Sequence, residues 1–382
     1  MSLRSEFVCS LFLTCVSALW VLTVGYAVLL TFRRRAATNA PPSDLPDITV
    51  VVAVLDEARW IRDKIENIAQ SHYPLERIEV VVVDGGSRDG TTVLAATCSP
   101  PGLRVRVVHY PGRAGKAAQI NFGARAARTD VVVCTDADTM LDKDCLARLV
   151  EPLLRDPRLA LVGARIEPVT ELVEEKIHWR LVNLLWWLEG RALGAAMISG
   201  ACYAARAGTF RAKLAAGAED VELAQRSALH GHGAVVTAWP AIAFERRVPG
   251  SIGEWLEYRI RRGRKYRSVV LERSAARGRY RRCLARSVRA GQFVFVPFLA
   301  LCSLASGLLL FAAEQRWIPP LIAAAAFAVP AFPLLAPLCR EHGVMRTVIG
   351  ALRWAALMVY VLLLIQRADK PATKLSKSEV AT

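Results

Sequence analysis

Long apolar runs at both ends of the chain enclose a region of short ones. Residues Phe7 to Phe32 carry no charge over 26 positions, enough for a tilted helix to cross a hydrocarbon core of roughly 30 Å. Arg33, Arg34 and Arg35 follow at once. A secretory signal peptide would place its charges before a shorter apolar core, so the run reads as an uncleaved anchor with the following residues in the cytoplasm. Three further stretches, Phe293–Ala313, Ile318–Leu338 and Val348–Ile365, are each long enough to span. The middle one holds Pro319, Pro320, Pro330, Pro333 and Pro337, which leaves a kinked helix and a re-entrant hairpin both open. The last contains Arg353, which has to snorkel or face protein. Three crossings would put the tail outside the cytoplasm, yet Arg367, Lys370, Lys374 and Lys377 outnumber its acids. The segments are therefore expected, and the number of crossings is left open.

Between Pro46 and about Val270 the pattern changes to short β-branched runs separated by helical ones. Strands are predicted at Ile48–Val54, Ile78–Val83, Val105–Val108 and Val131–Thr135. Helices are predicted near Trp60–Ser71, Lys116–Ala127 and Lys143–Leu154. This alternation predicts an α/β fold with a doubly wound, mostly parallel sheet, whose ligands sit beyond the carboxyl ends of the strands. The expected organisation is an anchor with its basic flank (1–45), a cytoplasmic domain (46–270), a basic interfacial segment (271–292), and C-terminal membrane helices with a tail (293–382).

Charge sharpens this division. The chain carries a formal +16, and the stretch from Arg259 to Arg289 holds thirteen Lys or Arg against Glu272 alone. So localised a charge argues for an anionic ligand or lipid headgroups rather than nucleic acid. The early part, Arg259-Ile-Arg-Arg-Gly-Arg-Lys-Tyr266, suits a diphosphate, which Arg grips with a planar fork; the later part, Arg273 to Arg289, suits anionic lipid. The nine cysteines are odd in number, scattered and never spaced C-x-x-C, which excludes a disulfide framework or zinc site as the organising element and fits a reducing compartment.

Acidic residues collect where strands end. Asp56 follows the first strand, Asp84 the second, and Asp136 with Asp138 the strand Val131–Thr135. Carboxylates at adjacent strand tips repel one another unless a cation or hydrogen-bond donors join them. The Asp-x-Asp pair offers two hard oxygen ligands, suited to Mg2+ or Mn2+ bridging a diphosphate. A D-x-D alone is also an ordinary loop or cap; the preceding apolar strand and the companion acids favour the metal. Asp84-Gly-Gly-Ser-Arg-Asp-Gly90 is either a ligand-cradling turn or a plain one in which Ser87 or Asp89 caps the next helix. Gly115-Lys116 presents a lysine at a helix start, close to an anionic ligand. Glu219-Asp220 opens a helix over Val221–Leu229, serving either its dipole or as a general base aimed into the crevice. Trp179, Trp186 and Trp187 fit an interfacial helix, an acceptor-site wall or core packing, and the six histidines show no ligand spacing.

With these residues in view, the chain resembles the membrane-bound family 2 glycosyltransferases, the group that includes cellulose, hyaluronan and poly-N-acetylglucosamine synthases and the ceramide glucosyltransferases. The likeness spans 46 to about 267 and the flanking membrane segments. Its motifs stand in the family's order: Asp56-Glu57, Val83-Asp84-Gly85-Gly86-Ser87, Gly115-Lys116 with Asn121, Asp136-Ala-Asp138, Ser199-Gly200-Ala201 and Ala218-Glu219-Asp220. The resemblance implies a GT-A type nucleotide-sugar-binding domain. Asp56, Glu57 and Asp84 would lie on the nucleoside side, with Lys116, Asp136, Arg259 and Arg262 near the donor diphosphate. Asp138, with Asp136, would hold Mg2+ or Mn2+, Asp220 would be the base, and Ser199, Gly200 and Glu219 would lie on the acceptor side. Arg259-Ile-Arg-Arg262 matches the start of the family's last motif, but Gly263 stands where the family has a Trp that belongs to the acceptor platform. The departure counts against processive chain elongation.

The implied activity is an inverting, metal-dependent transfer of a sugar from a nucleotide-sugar, UDP-linked by family expectation, to a lipid or glycan acceptor, in glycolipid or polysaccharide biosynthesis. A lipid acceptor is favoured by an interfacial site beside Arg-rich and Trp-rich segments. The alternatives are a processive polysaccharide synthase coupled to export and, from a different class, a non-catalytic membrane scaffold. Partners expected besides the donor and acceptor are membrane lipids, with no role for nucleic acid.

Overall fold

A computed structural model describes residues 3–32, 44–111, 115–211, 219–229, 233–271, 280–314 and 318–366. Helices α1 (Leu3–Trp20) and α2 (Tyr26–Phe32) flank a π-helical turn at Val21–Gly25. Then come β1 (Ile48–Val54), α3 (Ala58–Ala69), β2 (Ile78–Asp84), α4 (Thr91–Thr97), β3 (Arg104–His109), α5 (Lys116–Ala126), β4 (Val131–Asp136), β5 (Thr139–Leu141) and α6 (Cys145–Arg155). The domain closes with β6 (Leu159–Pro168), α7 (Val173–Leu193), β7 (Cys202–Arg206), α8 (Glu219–Leu229), β8 (Ala234–Glu245) and α9 (Ile252–Leu271). Three long helices follow, α10 (Tyr280–Glu314), α11 (Ile318–His342) and α12 (Val344–Gln366).

The strands form one eight-stranded sheet in the order β3-β2-β1-β4-β7-β6-β8-β5. Its first half is parallel, as the βα alternation predicts. Beyond β4 it turns mixed: β7 runs antiparallel to β4 and β6, β8 parallel to β6, and β5 antiparallel to β8. β1, β2 and β4 are apolar on both faces because helices cover both. One core lies under α3 and α6 and includes Ile61, Ile65, Ile68, Leu146 and Leu149. The other lies under α5, α7 and α8 and includes Ile120, Leu188, Leu223 and Ala224. All nine cysteines are free.

Among the described residues four helical segments are long and apolar enough to cross a membrane: Glu6–Phe32, Cys283–Ala312, Ile318–His342 and Val344–Gln366. α11 is a single helix through Pro330, Pro333 and Pro337, so the hairpin alternative does not form. The acids of α7 tie these helices to the sheet. Glu174 pairs with Arg353 of α12, Glu175 with Arg259 of α9, and Glu189 with Arg289 of α10 and with the Tyr26 hydroxyl of α2 at 2.9 Å. All three carboxylates are buried, where an unpaired charge would be strongly destabilising. Arg353 thus reaches a protein carboxylate while about half of its side chain (52%) stays exposed. Arg289, expected among lipid headgroups, is instead buried on Glu189, because α7 brings a carboxylate within its reach.

Candidate active site

The register of β1 explains why the acids meet. Val54 lies opposite Asp84 on β2, and Ala53 opposite Asp136 on β4, so the two carboxylates flank the end of one strand. Gln119 of α5 staples the tips by donating to the carbonyls of Val54 (2.7 Å) and Val83 (2.9 Å). Asp84 accepts the N–H groups of Gly86 and Ser87, each at 3.0 Å. Burial works to raise its carboxyl, but the hydroxyl and N–H of Ser87, with His109 and Gly86, outweigh it and hold the group below the usual range. His109, given no chemistry by its sequence spacing, places Nδ1 3.0 Å from Asp84 Oδ2. Asp56 takes a left-handed backbone (φ 55°), which a short polar side chain tolerates best among non-glycine residues. Its N–H donates to Ser87 Oγ (2.9 Å) and its Oδ1 accepts the Arg88 N–H (2.8 Å), locking the first strand tip to the second turn. Asp89 does serve as a local cap, accepting the N–H groups of Ala58 (2.9 Å) and Thr91 (3.0 Å).

Asp136 ends β4, whereas Asp138 sits in the tight turn before β5 rather than in extended chain. Each carboxylate faces its own cation. Lys116 Nζ, at the start of α5, lies 2.6 Å from Asp136 Oδ1. Arg247 Nε lies 3.1 Å from Asp138 Oδ2, and its guanidinium also forks onto Glu57, with Nη1 3.0 Å from Oε1. Burial, then the adjacent Asp136, raise the Asp138 carboxyl against the pull of Arg247.

The third group arrives from α8. The Gly200 N–H, just before β7, donates to Asp220 Oδ2 at 2.7 Å. A Cβ at Gly200 would stand 3.1 Å from Lys116 Nζ and 3.2 Å from Asp220 Oδ2. Glycine therefore lets the Lys116–Asp136 pair and Asp220 crowd around one point. Arg262 of α9 lies 3.7 Å from Glu245 Oε1 and over the Tyr258 ring. Burial opposes its charge, yet Tyr258, Glu245, Asp220 and Asp136 hold it above its ordinary range, so it lies within the field of the crevice acids.

Not every expected residue joins them. Arg259 is buried and pairs with Glu175 rather than with the strand-tip acids. One helical turn separates it from Arg262, so the two share a face of α9 but not an ion-pair partner. Ser199 is buried, with Oγ accepting the Ala201 N–H (3.3 Å). The side chain of Glu219 and all of Ala218 lie outside the described residues. Trp179 is core, donating to Glu175 Oε1 (2.9 Å). Gly263 packs against α12, where a Cβ would stand 3.4 Å from Ile365 Cγ2; a Trp there would meet that helix. Sequence reading missed Arg247, Gln119, His109 and Glu245. Arg246-Arg247 directly after an apolar strand was the available signal for the first.

Among the described residues no three His, Cys, Asp or Glu side chains gather around one metal position. Two carboxylates nonetheless fit Mg2+ or Mn2+, which commonly keep most of their positions for water and phosphate oxygens. Burial first, then the neighbouring Asp136, makes the charged form of Asp138 costly, and a divalent cation would offset that cost.

An open α/β sheet with this strand order, acids at adjacent tips and helices on both faces is a GT-A-like fold. Residues 49–212 match the family profile described as Glycosyl transferase family 2, and the protein carries a domain of that family. Over 151 residues it is 30% identical to the poly-beta-1,6-N-acetyl-D-glucosamine synthase of Staphylococcus aureus (strain COL), covering 38% of this chain and 36% of that protein. The chain thus spans about a third of that relative's length. It is 26% identical over 286 residues to the probable glycosyltransferase YdaM of Bacillus subtilis (strain 168), covering 69% of this chain and 67% of that one. Among solved structures, the mannosyltransferase PcManGT from Pyrobaculum calidifontis, in complex with GDP-Man and Mn2+, superposes with a TM-score of 0.69. It is 24% identical and covers 94% of this chain and 97% of its own.

Proposed function

We propose that the protein is a membrane-anchored inverting glycosyltransferase, with its sheet domain (46–270) in the cytoplasm, moving a sugar from a nucleotide-sugar to an amphipathic acceptor. The observation that carries this is the convergence of Asp136, Lys116 and Asp220 around Gly200. Asp84 and Asp56 line the nucleoside side, while Lys116 and Arg262 bind and orient the diphosphate. Asp136 and Asp138 would hold Mg2+ or Mn2+, which supplies charge neutralisation to the leaving diphosphate. Asp220 takes the proton from an acceptor hydroxyl, whose oxygen attacks the anomeric carbon from the face opposite the departing nucleoside diphosphate. One bond forms as the other breaks, so configuration inverts and no sugar is attached to the enzyme. Lys116 and Arg247 balance the charge of Asp136 and Asp138.

A processive synthase is the second reading, favoured by the name of the staphylococcal relative. Against it, Gly263 of α9 faces Ile365 and Val361 of α12, so a Trp at this position would abut that helix. A lipid-linked acceptor reaching the site from the bilayer suits this packing better. Membranes containing the protein, incubated with a panel of labelled nucleotide sugars, separate the readings: label in a lipid fraction as single additions supports the first, polymer the second. No transfer from any donor would contradict both.

A further inference from the structure

The inner face of α3 carries two polar side chains that the proposed chemistry leaves unused, Lys64 and Asn67. Lys64 is fully buried among Ile61, Ile65 and Ile68. Its ammonium donates to Thr135 Oγ1 at 2.8 Å and to the Thr139 carbonyl at 2.5 Å. These residues stand immediately before Asp136 and immediately after Asp138, so one group closes the base of the Asp136-Ala137-Asp138 turn. Asn67, one helical turn on, exchanges hydrogen bonds of 2.9 and 2.7 Å with the backbone of Leu141 and fixes the outgoing strand.

The tie extends further. Thr135 Oγ1 donates to the Ala201 carbonyl (2.9 Å), which also accepts the Asp136 N–H (3.1 Å). Next to Ala201, Gly200 gives its N–H to Asp220. A continuous bonded path therefore runs from Lys64 to both sides of the crevice. A leucine would fill this apolar slot without desolvating an ammonium, and the carboxylates whose field reaches Lys64 are Asp136 and Asp138.

We propose that Lys64 is a positioning residue: its ammonium fastens the two ends of the turn so that Asp136 and Asp138 stay side by side for a divalent cation and in register with Asp220. This rests on the reading of those aspartates as the cation-binding pair. Shape, in this account, outweighs charge. If Lys64 acted only as a nearby positive charge, removing it would tighten cation binding; as a tie, its removal weakens it.

The test is Mn2+ binding to the full chain in detergent, followed by the electron paramagnetic resonance signal of free Mn2+, with thermal unfolding measured on each sample. Lys64→Met is expected to weaken Mn2+ binding by about 10-fold or more, the scale typical of outer contacts around a metal. Thr135→Val, which cuts one arm of the tie without changing charge, is expected to weaken it by a smaller factor and carries the test alone if Lys64→Met does not fold. Ile68→Ala, a core truncation on the same helix, should lower the unfolding temperature and leave Mn2+ affinity unchanged. Equal or tighter binding by folded Thr135→Val or Lys64→Met overturns the proposal. Absence of Mn2+ binding by the unmodified chain would instead overturn the cation-binding reading itself, and this inference with it.

Discussion

Gly200 donates its backbone N–H to Asp220 Oδ2 at 2.7 Å, and the missing side chain of Gly200 leaves the space in which Lys116 and Asp220 approach. A methyl group there would stand 3.1 Å from the lysine nitrogen and 3.2 Å from the carboxylate oxygen. Gly200→Ala should therefore push both aside while the core remains intact. Contacts this close are relieved by shifts below an ångström, so the loss should stay below the about 100-fold that a misplacement of about 1 Å costs. The expected result is a roughly 10-fold fall in kcat with little change in unfolding temperature, measured on the same preparation.

Arg247 bridges Glu57 and Asp138 from a half-exposed position, so as a surface pair it adds little to stability. It pairs with Asp138, one of the two carboxylates that would hold a divalent cation. Arg247→Ala should leave the unfolding temperature nearly unchanged and tighten Mn2+ binding by roughly 3- to 10-fold, since each 1.4 kcal/mol of lost competition is tenfold. Titration calorimetry with Mn2+ checks this.

The Glu189–Arg289 pair joins α7 to α10 with both side chains buried. Arg289→Met would leave the Glu189 carboxylate without its partner and should destabilise the protein by about 3–5 kcal/mol. The double change Glu189→Leu with Arg289→Met should recover much of that loss, because it removes the buried charge altogether. Unfolding in detergent for both variants, set against Glu189→Leu alone, gives the coupling.

Glu245 ends β8 beneath Arg262, and burial pushes its carboxyl up from 4.5 to about 7. The folded chain then keeps a proton that the unfolded chain has released. Folding stability attributable to this group is complete below pH 4.5, falls as pH rises towards about 7, and is level above. Glu245→Gln removes the titration. The unfolding temperature of wild type minus that of Glu245→Gln should decline between pH 5 and 7 and flatten by about pH 8.

Much of this arrangement was legible in order along the chain. Ile48–Val54 and Val131–Thr135 announced themselves as strands through apolar runs rich in β-branched residues, and the acids after them marked the crevice. The antiparallel half was not, because β6, β7 and β8 mix Ala, Gly and Arg with their apolar residues and pair with partners far off in sequence. Arg259 and Arg262 looked equivalent in a basic run and share a helix face, yet Arg259 is buried on Glu175 whereas Arg262, one turn on, is half-exposed beside Glu245. The ties that hold the site, Lys64 to Thr135 and Gln119 to two strand ends, depend on helix-to-sheet packing that periodicity does not encode.

In the proposed reaction Asp220 takes the proton in a crevice that Asp136 and Asp138 prepare for the donor. Asp220→Asn keeps the side-chain shape and an oxygen to accept the Gly200 N–H while removing the base. With the donor identified from the nucleotide-sugar panel, purified Asp220→Asn should bind it within about 3-fold of wild type yet turn over at least 100-fold more slowly, the lower range for loss of a general base. Turnover near the wild-type rate would contradict the account.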